Sequence, residues 1–155
     1  MANLSVTITE SVNLNGNEMG SNNVYSAEGI LNATQIVKTC PVNSETYIGN
    51  YNAAVNTANY ASFDFDNAKY VRLTNLSTTE WIEIAYVTND GEVADSCRFM
   101  LLPGQSSLMW DAKAGKLGER NPPVWGTACS TLSYIAIYNR GEEETVDVEC
   151  FVASA

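Results

Sequence analysis

The chain has 155 residues, 45% of them apolar and only 17% charged, which is enough material for a folded core and argues against intrinsic disorder. Its 18 acidic residues outweigh 8 basic ones, so a net charge of −10 leaves few cations for phosphates, against a nucleic acid or an anionic membrane surface as ligand. Histidine is absent, and Asn, Ser and Thr together supply 43 residues, which suits turns, Asx caps and the solvent faces of strands better than long helices.

Period-2 alternation dominates from the start. Leu4, Val6 and Ile8 point one way and Ser5, Thr7 and Thr9 the other, the pattern of a half-buried strand that could also add to a neighbour's sheet edge. Val12-Asn-Leu14 runs into Asn15-Gly16, a dipeptide that accepts the two positive φ angles of a tight hairpin turn. Asn22-Asn23 reads as a loop and Val24-Tyr25-Ser26 as a short strand. Between Ala27 and Lys38 helical and extended spacings compete; Gln35 to Cys40 reads as a strand stopped by Pro41.

Further strands are predicted at Thr46-Tyr47-Ile48 and around Phe63, with a polar, Tyr-bearing connection between them. Tyr70 to Asn75 is a strand, Leu76 to Thr79 a turn, and Trp81 to Val87 a strand with Ile82, Ile84 and Tyr86 on one face. Asn89-Asp90-Gly91 closes a hairpin onto Arg98–Leu102, and Pro103-Gly104 turns the chain into Ser107–Trp110. Asp111 to Thr131 has no period; Ser133–Asn139 and Thr145–Val152 follow as strands, joined through Arg140-Gly-Glu-Glu-Glu144. Short strands with turn chemistry every 8–12 residues or so predict an all-β protein, a single antiparallel β-sandwich of jelly-roll type spanning residues 1–155 with one or two long loops.

The first ten residues hold no basic segment followed by an apolar one, and no run approaches the ~18 apolar residues that span a bilayer. The expectation is a protein made and folded in a cytosol. Cys40, Cys97, Cys129 and Cys150 are widely spaced without a CxxC pair, which predicts buried thiols in preference to a disulfide frame or a zinc site, although strand pairing could still bring two of them together.

Without histidine the Ser-His-Asp triad, the Cys-His dyad and the HExxH zinc site are all excluded, and no phosphate-binding glycine loop is present. Asp64 and Asp66 could in principle form a glycosidase carboxylate pair or, with Asn67, a calcium site. Their plainer reading is exposed strand-edge or Asx-turn residues. No catalytic residue, metal or cofactor is expected, and contact with a partner is the expected activity.

Two segments carry the residue types that anchor interfaces. Loops longer than about 12–15 residues are uncommon in compact domains unless functional or disordered. The stretch from Asp111 to Thr131 is that long, and holds Lys113, Lys116 and Arg120 against only two acids, flanked by Trp110 and Trp125. Arg and Trp desolvate much area with few soft torsions, so this loop is a candidate interface, against the plainer alternative that Trp125 is buried in its own core. Tyr47, Tyr51 and Tyr60 surround the other long connection, where aromatic faces could stack on sugar rings or simply pack on a strand edge.

Three patches carry a family likeness: Met1-Ala-Asn-Leu-Ser-Val-Thr-Ile-Thr-Glu-Ser-Val-Asn-Leu-Asn-Gly16, Phe65-Asp-Asn-Ala-Lys-Tyr-Val-Arg-Leu-Thr-Asn-Leu76 and Leu102-Pro-Gly-Gln-Ser106. In these the sequence resembles small structural proteins of tailed bacteriophages, notably those of cyanobacteria and other marine bacteria. The likeness extends to about Met109, and the last third has no counterpart. It implies a virion component assembled in the host cytoplasm, with a capsid decoration or cement protein as the first expectation. The partners would then be the major capsid protein, on the outer capsid surface, and further copies of the chain in a homo-oligomer such as a trimer. The alternative is a tail, neck or head-knob component acting as a receptor- or glycan-binding module.

Overall fold

A computed structural model describes residues 2–50, 63–64, 68–89, 94–110, 132–141 and 143–155. Among these the chain forms strands β1 (Ala2–Leu14), β2 (Asn17–Ile30), β3 (Asn32–Cys40), β4 (Ser44–Asn50), β5 (Phe63–Asp64) and β6 (Ala68–Asn75). β7 (Ile82–Asn89), β8 (Ala94–Leu101), β9 (Ser106–Trp110), β10 (Leu132–Asn139) and β11 (Val146–Ser154) follow, and the described residues contain no helix. The all-β expectation is met.

Two sheets face each other, one in the order β5-β4-β10-β7-β8 and the other in the order β3-β11-β6-β9. All pairings are antiparallel except the short one between β4 and β5, where Gly49 and Asn50 lie parallel to Phe63 and Asp64. The alternation read from the sequence explains the layering. Ile82 and Ile84 on β7 and Ile135 and Ile137 on β10 turn inward from the five-stranded sheet. They meet Val71 and Leu73 of β6 and Val146, Val148, Cys150 and Val152 of β11 from the four-stranded one. Complete burial of each such aliphatic side chain contributes about 1.5–3 kcal/mol, so this shared interior specifies the face each strand turns inward.

The two ends of the sandwich differ. At one end the strands are joined by short turns, including Pro103-Gly104, where Gly104 has φ 71° and the Gln105 amide donates to the Leu102 carbonyl at 3.1 Å. Asn75 and Asn139, the buried polar side chains of the described core, close this end. At the opposite end lie the strand ends flanking 51–62, 90–93 and 111–131, which fall outside the described residues; of the turn expected at Asn89-Asp90-Gly91, Asn89 ends β7, paired with Ala94, and Asp90 and Gly91 lie outside the described residues.

The N-terminal pair belongs to neither sheet. β1 and β2 form a separate two-stranded ribbon, closed where Asn15 and Gly16 take φ 53° and 81° as the Asn-Gly dipeptide predicts. The loop expected at Asn22-Asn23 is corrected: both lie within β2, paired with Thr9 and Ile8. Both faces of that part of the ribbon meet water, so polar side chains cost the ladder nothing there. The competition between Ala27 and Lys38 resolves as the end of β2 and most of β3, with Gly29 at φ 75° beside a register shift. Cys40 and Cys150 are buried thiols, whereas Cys97 is exposed, contrary to expectation; Cys129 lies outside the described residues.

Candidate functional site

On β10 the residues that alternate with the inward Ile135 and Ile137 face the other way, which puts Tyr134 and Tyr138 on the outer face of the five-stranded sheet. Register carries this face across three more strands. Ala136 pairs with Tyr47 of β4 and Ala85 of β7, Ala85 pairs with Arg98 of β8, and Tyr138 lies between Glu45 and Glu83. The ring centroids of Tyr47 and Tyr134 are 5.0 Å apart. The Arg98 and Arg140 guanidinium carbons lie 4.6 and 5.3 Å from the Tyr138 ring centroid, within cation–π range. The Glu83 carboxylate accepts from Arg98 at 2.9 Å and from Arg140 at 3.1 Å, holding both over the ring.

The charges follow from these contacts. The hydrogen bond from Arg140, reinforced by Arg98, holds the Glu83 carboxyl below its usual range against the opposing effect of burial. Burial pushes the Tyr138 hydroxyl up to about 12, helped by its hydrogen bond to the Glu45 carboxylate. Burial likewise raises Tyr134. The result is a platform of planar, hydrogen-bonding groups whose two cations are balanced locally. Tyr and Arg in this setting suit desolvated contact with another surface.

Of the residues singled out in the sequence, Tyr47 is on this platform. Trp110 ends β9, an edge strand of the other sheet, paired through the backbone with Tyr70, so the two candidate regions do not share a face in their described parts. Tyr51, Tyr60, Lys113, Lys116, Arg120 and Trp125 lie outside the described residues, as does Asp66; Asp64 ends β5. Sequence reasoning missed Tyr134, Tyr138, Arg98, Arg140 and Glu83. The alternation in Ser133–Asn139 already sends the two tyrosines outward and Arg140 follows two residues after Tyr138, but only the order β4-β10-β7-β8 brings Arg98 and Glu83 beside them.

A second surface lies on the other sheet. Leu4, Val6 and Tyr25 at the ribbon base pack with Ala27 and Ile30 against Tyr70, Phe151 and Ala153. Beside them runs a groove of about 390 Å³ lined by Leu4, Ser5, Val6, Thr7, Gln35, Tyr70, Arg72 and Phe151. Arg72 pairs with Glu149 and lies 5.7 Å from the Phe151 ring centroid, but its buried Nε has no hydrogen-bond partner. Beyond the base every ribbon residue from Thr9 to Val24 is exposed, including Val12, Leu14 and Met19.

Among the described residues no group of three or more His, Cys, Asp or Glu is placed to hold a metal ion, and no helix is long and apolar enough to cross a membrane. Neither a known protein-family model nor a curated protein sequence matches the chain.

Proposed function

We propose that the chain is a virion structural protein of the tailed-bacteriophage kind, a decoration or cement protein that binds the outer surface of the head and bridges neighbouring major capsid proteins. It works by contact, not by catalysis. The observation that carries this reading is the order of eight of the nine described sandwich strands, the two-residue edge strand β5 apart. The sets β3-β11-β6-β9 and β4-β10-β7-β8, with the chain changing sheet at most connections, support a jelly roll, an architecture shared by viral capsid and lectin domains. The tyrosine–arginine platform offers a surface for the capsid. A net charge of −10 favours an outward position, because packaged DNA would repel the chain from within. The short resemblance to phage structural proteins points the same way.

Quantitative mass spectrometry of purified particles tests this by counting copies. Hundreds per particle are expected; a dozen or fewer would move the protein to the neck, tail or a head knob. The alternative, a receptor- or glycan-binding module, draws on Tyr47, Tyr134 and Tyr138, whose rings could stack on sugars. It requires that purified protein bind host cells or their lipopolysaccharide, and an absence of binding removes it.

A further inference from the structure

We propose that Asn15, in the turn between β1 and β2, is a site of spontaneous modification: in the folded chain its side-chain amide is lost as ammonia and replaced by a carboxylate. The backbone nitrogen of Gly16 bonds to Asn15 Cγ and the Cγ–Nδ2 bond breaks. The Gly16 amide proton leaves with Nδ2 as ammonia, and a five-membered succinimide remains. Water then opens the ring at one of its two carbonyls and returns a proton to the Gly16 nitrogen. Opening at Cγ leaves aspartate at position 15; opening at the main-chain carbonyl leaves isoaspartate. The inference goes beyond the proposed function and does not depend on it.

The turn leaves this reaction open. Of all the asparagines in the sequence Asn15 alone precedes a glycine, so no Cβ shields the attacking nitrogen. Both residues are exposed, and a Cβ built on Gly16 would meet nothing within 4 Å. The Gly16 amide stands outside the strand ladder and donates to Asn13 Oδ1 at 3.2 Å, an exposed bond that leaves its proton within reach of base. Among the described residues no hydrogen bond holds the Asn15 side-chain amide. A two-stranded hairpin is only marginally stable in water, and residues 9–24 are all exposed. The small opening that brings nitrogen to Cγ therefore costs little.

Asparagines at other turns and corners are held back. Asn43 also has a positive φ, 49°, but Ser44 follows it and carries a Cβ that crowds the nitrogen. Asn75 and Asn139 are buried, and each Nδ2 already donates to two carbonyls. The amide that follows Asn75, on Leu76, donates to the Asp147 carbonyl at 2.9 Å, which withholds its proton from base. The fold thus ranks these sites, and Asn15 comes first.

Either product adds one negative charge to a chain that already carries −10. Isoaspartate does more. Its main chain runs through Cβ and Cγ, one carbon longer than before, and no longer fits a two-residue turn. That turn sets the register in which Leu14 faces Asn17 and Val12 faces Met19. With residues 9–24 exposed on both faces, no buried pattern holds the register in its place. The distal ribbon therefore loosens as the protein ages, while the two sheets of the sandwich, which do not include the turn, keep their pairings.

Peptide mass mapping of the full chain, held folded at pH 8, tests the proposal. The peptide that holds Asn15 should gain about 1 Da, at least about tenfold faster than those that hold Asn43, Asn75 or Asn139. N15G keeps a pair that forms the same turn and should show no gain there. Conversion at Asn15 no faster than at Asn43, conversion only after urea unfolds the chain, or an equal gain in N15G overturns the proposal. The aged form, separated by its extra charge on an anion exchanger, gives a second reading. Its amides in 9–24 should exchange with solvent at least about tenfold faster than those of fresh protein. Equal rates overturn the loss of register.

Discussion

Asn75 and Asn139 make the same three kinds of hydrogen bond at two corners of the sandwich. Each donates from Nδ2 to the carbonyl five residues on, Glu80 or Glu144, at 2.8 Å, and accepts at Oδ1 from the amide two residues on, Ser77 or Gly141, at 2.9 Å. The remaining Nδ2 proton goes to the end of another strand, the Leu101 carbonyl at 3.1 Å or the Cys40 carbonyl at 3.2 Å. The corners also meet, since a Cβ added to Gly141 would lie 2.8 Å from the Glu80 carboxylate. One amide thereby satisfies backbone groups that a tight turn at the end of a core would leave bare.

Replacing either asparagine by alanine strips three backbone groups of a buried partner. Each of N75A and N139A is expected to lower the unfolding free energy by about 3 kcal/mol in urea titrations, with an unchanged slope. Asp substitution is expected to be worse at neutral pH than in acid, because an ionised carboxylate would confront the two carbonyls that Nδ2 now serves. A loss below about 1 kcal/mol for both alanine variants would mean that water replaces the amide at these corners.

Tyr138 makes the stability of the fold sensitive to alkali. Its hydroxyl is raised to about 12 in the folded chain, mainly by burial and then by Glu45, and an unfolded tyrosine ionises near 10. Where the folded value is the higher one, the contribution is present in full below the unfolded value and is lost as pH rises through the folded one. Unfolding midpoints should therefore fall from about pH 10 and level off past about pH 12. In Y138F, which has no proton to lose, this fall should be shallower; an identical fall would assign the effect elsewhere.

How much of this was legible in the sequence depends on how far apart the interacting residues lie. The Asn15-Gly16 turn and the inward faces of β7, β10 and β11 are local patterns, and they appear where the alternation puts them. The length of the ribbon was not legible, because Asn22 and Asn23 read as loop residues when a strand is assumed to need one buried face. The platform was not legible either. Glu83 is 57 residues from Arg140, and only strand order brings them together. The corner asparagines carry a weak local signal, an Asn ending an apolar strand with a Glu five residues on, which the sequence reading passed over.

The thiols offer a direct check of the layering. Cys40 and Cys150 are enclosed between the sheets, and burial raises the Cys150 thiol to about 12, whereas Cys97 is exposed on β8. The thiolate is the reactive form. Brief alkylation of the folded protein at pH 8, read by peptide mass mapping, should label Cys97 and leave Cys40 and Cys150 unmodified until denaturant is added. Early labelling of Cys150 would contradict the assignment of β11 to the interior.

The platform on the five-stranded sheet can be separated from the stability of the fold, since the arginine ends of its ion pairs are exposed and the shared Glu83 keeps a second arginine when one is removed. Arg98 and Arg140 keep 39% and 45% of their side-chain surface exposed, and pairs of that kind contribute at most about 1 kcal/mol. Anchors at a desolvated interface, by contrast, often cost more than 2 kcal/mol when truncated, about thirtyfold in affinity. If the chain decorates capsids as proposed, R98A should therefore keep an unfolding midpoint close to the wild type but bind capsids stripped of this protein at least tenfold more weakly in a sedimentation assay. T79A, on an exposed turn at the closed end of the sandwich, should bind as the wild type does. Equal binding by all three proteins would remove this face from the proposed capsid contact and leave the segments around Trp110 and Trp125 as the surface to test.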